Sequence, residues 1–106
     1  MSKFTDKLDV LLDRINDGDK EAIVSALNSD IAFPAFRAIV QAGDDGLNDA
    51  AILEGIKLWE HSQIRMFGLP IQTYARATLF HLGEIPYSEL TTEEIMIART
   101  FSSCVS

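Results

Sequence analysis

The sequence predicts a single all-α domain, a compact bundle of about six short helices, and three observations support this. Apolar residues recur at intervals of three and four in six stretches, which is the period of helices with one buried face. Gly, Pro, Asn and Asp separate these stretches. Alternating apolar and polar runs between hairpin turns are absent, so no strand is expected. A chain of 106 residues, 47% hydrophobic and 24% charged, fits one such domain over residues 1–106.

The first two helices are predicted on either side of a polar turn. The first covers about residues 4–16, with an apolar face formed by Phe4, Leu8, Leu11, Leu12 and Ile15. The turn at 16–19 ends it, because Asn, Asp and Gly tolerate the left-handed conformation in which helices terminate. Asp19 is then expected to cap a second helix that stops near Asn28.

The third and fourth helices surround a second polar turn. Pro34 fits a helix only in its first turn, where its missing N–H is not needed, and the third helix is expected to close at Gly43. Asn48 is the predicted cap of the fourth helix, since Leu47 and Ile52 have the spacing of a hydrophobic staple across it. Gly68 is the expected end of that helix.

The last two helices have recognisable starts. Pro70 opens the fifth, and Gly83 ends it. Thr91-x-x-Glu94 is a capping box that opens the sixth, which runs to about Phe101. Three stacked helical hairpins, as in a short solenoid, are an alternative arrangement of six helices. No residue pattern recurs at a fixed period, so the bundle is favoured.

The charge balance restricts the partners. Nine Lys and Arg against 16 Asp and Glu give a net charge of −7. Nucleic acid is therefore not an expected partner, because phosphate neutralisation needs clustered cations, whereas a basic protein is. No apolar run has the length of a signal peptide or of a membrane span, so the expected location is the cytoplasm, with no membrane contact.

Metal sites are not expected. The segment 13–18 resembles a calcium loop, but Ile15 stands where an oxygen ligand is needed. Val24 stands where the bidentate glutamate belongs. His61 and His81 lack a second ligand at helical spacing.

Catalytic groups and cofactors are not expected either. Cys104 has no positioned base nearby, and no glycine-rich phosphate loop is present. Trp59 and Tyr74 fall on apolar faces, where core packing is the simpler interpretation. The sequence therefore predicts a protein that is not an enzyme and binds no cofactor.

The acids are distributed unevenly among the predicted connections. In an up-and-down arrangement, the first, third and fifth connections lie at one end of the molecule. Those connections hold a predicted partner-binding rim of Asp17, Asp19, Asp44, Asp45, Asp49, Glu84 and Glu89, with Tyr87 as an aromatic anchor. The second and fourth connections hold only Asp30. We therefore expect one acidic end and one nearly neutral end.

In size, acidity and helical content, with these acids and Tyr87, the chain resembles the immunity proteins that bacteria keep against their own contact-dependent or colicin-like nuclease toxins. The resemblance implies a cytoplasmic, non-catalytic inhibitor that binds a basic toxin domain and masks its active surface. A regulatory or adaptor module that recruits another protein, with a homodimer as one form, is the alternative. An exposed apolar groove would indicate that alternative.

Overall fold

The computed structural model describes the backbone of residues 3–101 and the side chains of residues 8–101, so Cys104 lies outside the described residues. The helices are α1 (Lys3–Asn16), α2 (Lys20–Leu27), α3 (Ala32–Asp45), α4 (Ala50–Lys57), α5 (Ile71–His81) and α6 (Thr92–Ala98). An antiparallel hairpin, β1 (Arg65–Met66) and β2 (Leu69–Pro70), precedes α5, and a 3₁₀ turn (Tyr87–Glu89) precedes α6. The prediction of an all-α fold with six helices is confirmed. The expectation of no strand is wrong.

The core is one continuous cluster around α3. Helix α3 contacts α1, α2 and α5, α2 also packs on α4, and α6 packs on α5. The largest fully buried aliphatic side chains are Ile15, Ile23, Leu27, Ile39, Ile52, Ile56, Ile71 and Leu79. Each contributes roughly 1.5–3 kcal/mol by leaving water. Helix α3 thus contacts the alternate helices α1 and α5 as well as its neighbour α2, and the whole forms a small all-α bundle.

Helices α3 and α5 run in the same direction. The ring of Phe36 meets the ring of Tyr74 edge-on, with centroids 4.8 Å apart. One turn further along both helices, the Thr78 hydroxyl donates to the Ile39 carbonyl at 3.3 Å. The first turns of the two helices therefore lie at the same end of the molecule.

Helices α2 and α4 are also parallel. At their starts, the Lys20 ammonium lies 3.1 Å from the Asp49 carboxylate. At their ends, the Trp59 indole N–H donates to the Leu27 carbonyl at 2.9 Å. The second and fourth connections, residues 28–31 and 58–70, thus lie at one end of the molecule. We call these two connections and the first turn of α3 the hairpin end. The opposite end, residues 17–19 and 46–49 with the last turn of α3, is the acidic end.

Two predicted helix starts are confirmed. The Asp19 carboxylate accepts from the backbone N–H of Glu21 and Ala22 at 3.0 and 3.3 Å, which caps α2. Thr91 and Glu94 form the reciprocal capping box of α6, with bonds of 3.0 and 3.3 Å. These bonds satisfy N–H groups that have no acceptor within the helix.

The predicted end of the third helix at Gly43 is wrong. Gly43 lies inside α3, where a Cβ would stand 2.6 Å from the Phe101 ring. Helix α3 continues to Asp45 and ends at Gly46, which has a left-handed φ of 67°. A glycine in this sequence therefore marks a close packing contact as well as a helix end. Asp44 and Asp45 consequently belong to the last helical turn and not to a loop.

Both predicted limits of the fourth helix are wrong. Its N-cap is Asp49, not Asn48, and the Asp49 side chain makes no capping bond because it pairs with Lys20. The helix ends at Lys57, well before Gly68, because the chain turns tightly through residues 58–62 with bonds to the third residue back. Gly68 is instead the second residue of the hairpin turn.

Removing the two predicted capping side chains is expected to change the unfolding free energy in one case and not in the other. Thr91→Ala should lose about 1 kcal/mol of unfolding free energy, because it removes the capping oxygen of α6. Asn48→Ala should stay within about 0.5 kcal/mol, since Asn48 is exposed and caps no helix. Urea unfolding followed by circular dichroism measures both, and Thr92→Ala, at the exposed next position, is the matched control. A loss with Asn48→Ala and none with Thr91→Ala would contradict these helix starts.

Candidate functional site

The hairpin is attached to the start of α5 by backbone bonds. The N–H of Ile71 donates to the Ile64 carbonyl at 2.7 Å, and the N–H of Gln72 donates to the Ser62 carbonyl at 3.1 Å. Pro70, the N-cap, offers no side-chain acceptor. The connection itself therefore satisfies the first N–H groups of α5, which a capping side chain would otherwise do.

A buried tyrosine of α5 is hydrogen-bonded to the hairpin. The Tyr74 hydroxyl donates to the Met66 carbonyl in β1 at 2.9 Å. Burial raises the pKa of the Tyr74 phenol, because the ionised form would lose hydration. The hydroxyl therefore stays a proton donor at physiological pH. The hairpin is thus held in one position against the bundle.

The turn of the hairpin carries an unfavourable residue. Phe67 and Gly68 have φ angles of 53° and 88°, the left-handed values that a two-residue type I′ turn requires at both positions. Asn-Gly suits such a turn, whereas a left-handed residue with a bulky side chain costs roughly 1–2 kcal/mol. Burial does not compensate, because Phe67 is 78% exposed. The residue at the tip therefore neither suits the turn nor is buried in the core.

Four aromatic residues form a cluster that runs from the core to this tip; we call Phe33, Phe36, Phe67 and Tyr74 the aromatic cluster. The Phe36 ring lies 5.4 Å from Phe67 and 6.3 Å from Phe33, centroid to centroid. Phe36 and Tyr74 are buried, whereas Phe33 and Phe67 face solvent. The buried Phe36 ring packs against both exposed rings and holds them in position.

The hairpin end holds most of the exposed apolar side chains. Five of the eight large hydrophobic side chains that are exposed in the described part of the chain lie there: Ile31, Phe33, Leu58, Ile64 and Phe67. Single exposed apolar residues are ordinary, but a concentration of them at one end is typical of a protein-binding surface. The sequence had indicated only a nearly neutral end.

A cleft of about 380 Å³ opens beside these side chains, between the second and fourth connections. One wall is Trp59, whose indole N–H is bound to the end of α2. The rest of the lining is Leu27, Asn28, Ser29, Asp30, Leu58 and Ser62. The cleft therefore combines an aromatic wall with polar groups.

Part of the predicted acidic rim comes together at the acidic end. A Cβ on Gly18 would lie 2.8 Å from the Asp45 carboxylate, so the last turn of α3 reaches the first connection. Asp45 also accepts from the Gln41 amide at 2.9 Å. By their elements, the residues at this end are Asp17, Asp19, Asp44, Asp45 and Asp49.

Cations neutralise part of this group. Arg14 donates to Asp19 at 2.8 Å, and Lys20 lies 3.1 Å from Asp49. The hydrogen bond from Arg14 lowers the pKa of Asp19, and the backbone N–H of Ala22 lowers it further. Asp19 and Asp49 at the acidic end are consequently members of ion pairs.

The three other predicted residues lie elsewhere. Glu84 pairs with Lys57 at 3.2 Å, at the far end of α4 from Asp49. The Tyr87 ring packs on Phe80 of α5, with centroids 6.0 Å apart. The carbonyl of Glu89 accepts from Arg76, also on α5, at 2.8 Å. The interactions of these three residues are therefore with α4 and α5.

The Asp19 carboxylate gives an expected pH dependence. Because its pKa is lowered in the folded state, its contribution to stability is full above its ordinary pKa of 3.8 and is lost as the pH falls through the lowered value. Asp19→Asn keeps a capping oxygen but does not titrate. The stability difference between wild type and this variant should shrink between about pH 5 and pH 2, as measured by urea unfolding. A difference that stays constant over this range would contradict the Arg14 pairing.

Sequence reasoning missed the residues of the hairpin end. Phe67-Gly68, between Met66 and Leu69, was the one indication of a two-residue turn, and phenylalanine in place of asparagine concealed it. Among the described residues, no group of three or more His, Cys, Asp or Glu has a geometry able to hold a metal. Within residues 3–101, no helix combines the length and apolar character needed to cross a bilayer.

Fold and site together define a small all-α bundle with an exposed aromatic end. No known protein family, curated protein or solved structure matches the chain.

Proposed function

We propose that this protein is a non-catalytic protein-binding inhibitor, of the immunity-protein type, which neutralises a basic toxin domain by covering its active surface. The observation that carries the proposal is the exposed Phe67 at the tip of a fixed hairpin. Aromatic side chains held rigidly on a surface are the usual anchors of protein interfaces. The contact is therefore assigned to the hairpin end.

The position of Phe67 supports a role in binding. Its backbone conformation disfavours phenylalanine, and the exposed ring contributes little to folding. Unfavourable backbone conformations of this kind concentrate at functional sites, where another benefit offsets them. Binding to a partner supplies such a benefit, because the exposed ring would leave water in the complex.

The net charge supports a basic partner. A protein of charge −7 attracts a basic protein from solution and accelerates their encounter. Nuclease domains carry clustered cations that hold phosphate, so they have the complementary charge.

The proposal is tested with a basic nuclease-type toxin domain, if the neighbouring genes encode one, by measuring inhibition of the toxin and the kinetics of binding. Phe67→Asn should weaken binding about 30-fold, mainly through faster dissociation, because it removes the anchor. The same change should leave folding unharmed or improve it by up to about 1 kcal/mol, because asparagine suits the turn. Loss of binding with gain of stability separates a binding residue from a structural one.

Asp44→Lys with Asp45→Lys is the matched comparison at the other end. Helix α3 is 14 residues long and spans about 21 Å, roughly two screening lengths in physiological salt. If the hairpin end makes the contact, the double lysine variant should associate within about threefold of the wild-type rate. If Phe67→Asn dissociates at the wild-type rate and the double lysine variant associates slowly, the contact lies at the acidic end. An uninhibited toxin would refute the immunity function.

The exposed aromatic cluster also favours a second function, that of an interaction module that forms homodimers. In that case the wild type should be a dimer, and Phe67→Asn a monomer, in analytical ultracentrifugation. The inhibitor proposal expects a monomer in the absence of the toxin.

A further inference from the structure

The cleft beside Trp59 has the chemistry of a cation site. Asp30 supplies a carboxylate and Asn28 an amide oxygen, and within the described residues neither group accepts a hydrogen bond. One N–H of the Asn28 amide is already bonded, because it donates to the Val24 carbonyl at 2.8 Å. The acceptors at this cleft are therefore available to a donor from outside.

Two helix ends add negative potential at the same place. Asn28 is the C-cap of α2 and Leu58 is the C-cap of α4, and both residues line the cleft. A helix C-terminus carries a partial negative charge of roughly half an electron, which favours a cation. The parallel packing of α2 and α4 is the reason why the two ends converge.

No basic side chain lines the cleft. The nearest lysine in sequence, Lys57 in the last turn of α4, is paired with Glu84 at 3.2 Å. The lining of the cleft thus supplies acceptors and no cation of its own.

From this geometry we infer that the cleft between residues 28–30 and Trp59 binds an arginine side chain of the partner protein. Arginine fits better than lysine, because its planar fork presents five donors to several acceptors. Trp59 lines the cleft but is only 9% exposed, so the polar acceptors provide the main contacts. The inference rests on the proposed function only for the source of the arginine; the cleft itself is tested without the partner.

The test is a titration of ¹⁵N-labelled protein with N-acetyl-arginine amide, followed by NMR. We expect saturable shifts of the Trp59 indole N–H and of the backbone amides of Asn28, Asp30 and Ser62, with a Kd of about 1–10 mM. N-acetyl-citrulline amide, which has the same shape without the charge, should bind at least about fivefold more weakly. Equal shifts with both compounds, or shifts that never saturate, would overturn the inference.

Two variants locate the contact. Asp30→Asn should weaken binding of the arginine probe about fivefold. Asp13→Asn, which removes the same charge from the exposed face of α1, should leave it unchanged. An equal effect of the two variants would reveal attraction by net charge alone and would contradict a site at the cleft.

The two proposals fail separately. Phe67→Asn should retain the probe, since Phe67 does not line the cleft, while it loses the toxin domain. Asp30→Asn should retain toxin binding with about fivefold lower affinity. If the arginine probe binds but the toxin is not inhibited, the proposed function is refuted and the cleft proposal stands. If the toxin is inhibited but the probe does not bind, only the cleft proposal is refuted.

Discussion

Trp59→Ala is expected to lower the unfolding free energy by about 3–5 kcal/mol, the range for removing a buried tryptophan. Trp59 is 9% exposed and belongs to the core cluster. Its indole N–H also binds the Leu27 carbonyl at 2.9 Å, so the truncation leaves a buried acceptor unpaired as well as a cavity. The melting temperature should fall by about 10 °C or more.

Neighbouring variants separate these causes. Trp59→Phe keeps much of the ring but removes the donor, and should lose about 1–3 kcal/mol. Leu58→Ala, at the adjacent position that is 65% exposed, should stay within about 0.5 kcal/mol. Unfolding is followed by circular dichroism, because the chain has a single tryptophan and the variants lack its fluorescence. A loss below about 1 kcal/mol for Trp59→Ala would mean that the fourth connection does not pack on α2.

Arg76→Met is expected to destabilise the protein by about 3 kcal/mol, because it leaves the carboxylate of Glu94 buried without its cation. The Arg76 guanidinium lies 2.9 Å from the Glu94 carboxylate, and it also donates to the Glu89 carbonyl at 2.8 Å. The Glu94 side chain is only 5% exposed, whereas that of Arg76 is 23% exposed. The expected loss is therefore at the lower end of the range for buried pairs.

A double variant and an exposed pair test this explanation. Arg76→Met with Glu94→Gln should recover part of the loss, because the neutral amide no longer requires a cation. Lys57→Met breaks the exposed pair with Glu84 and should lose no more than about 1 kcal/mol. Equal losses for Lys57→Met and Arg76→Met, measured by urea unfolding, would show that burial of Glu94 is not the cause.

The helix starts that sequence predicted correctly depend on bonds between near neighbours. Thr91 and Glu94 are three residues apart, and Asp19 caps N–H groups two and three residues ahead. Such contacts form wherever the helix forms, so they can be predicted from the sequence alone. The same is true of the helical period itself, which made six helices and an all-α fold predictable.

The candidate site could not be predicted in this way, because its parts are distant in sequence. Phe67 reaches Phe36 only because α3 and α5 lie parallel, which brings the hairpin before α5 to the start of α3. Asp30 meets Trp59 only because α2 and α4 end together. The same distance in sequence explains why the pair of Lys57 with Glu84 could not be predicted.

The sequence by itself determined the helical class, the net charge of −7 and the caps of α2 and α6, since these depend on composition and on contacts within one turn. Only the tertiary structure decided which glycine ends a helix and which one packs against an aromatic ring. It also decided which acids are paired and which end exposes aromatic side chains. The physical reason is that core packing sets helix directions, and helix directions decide which distant side chains meet.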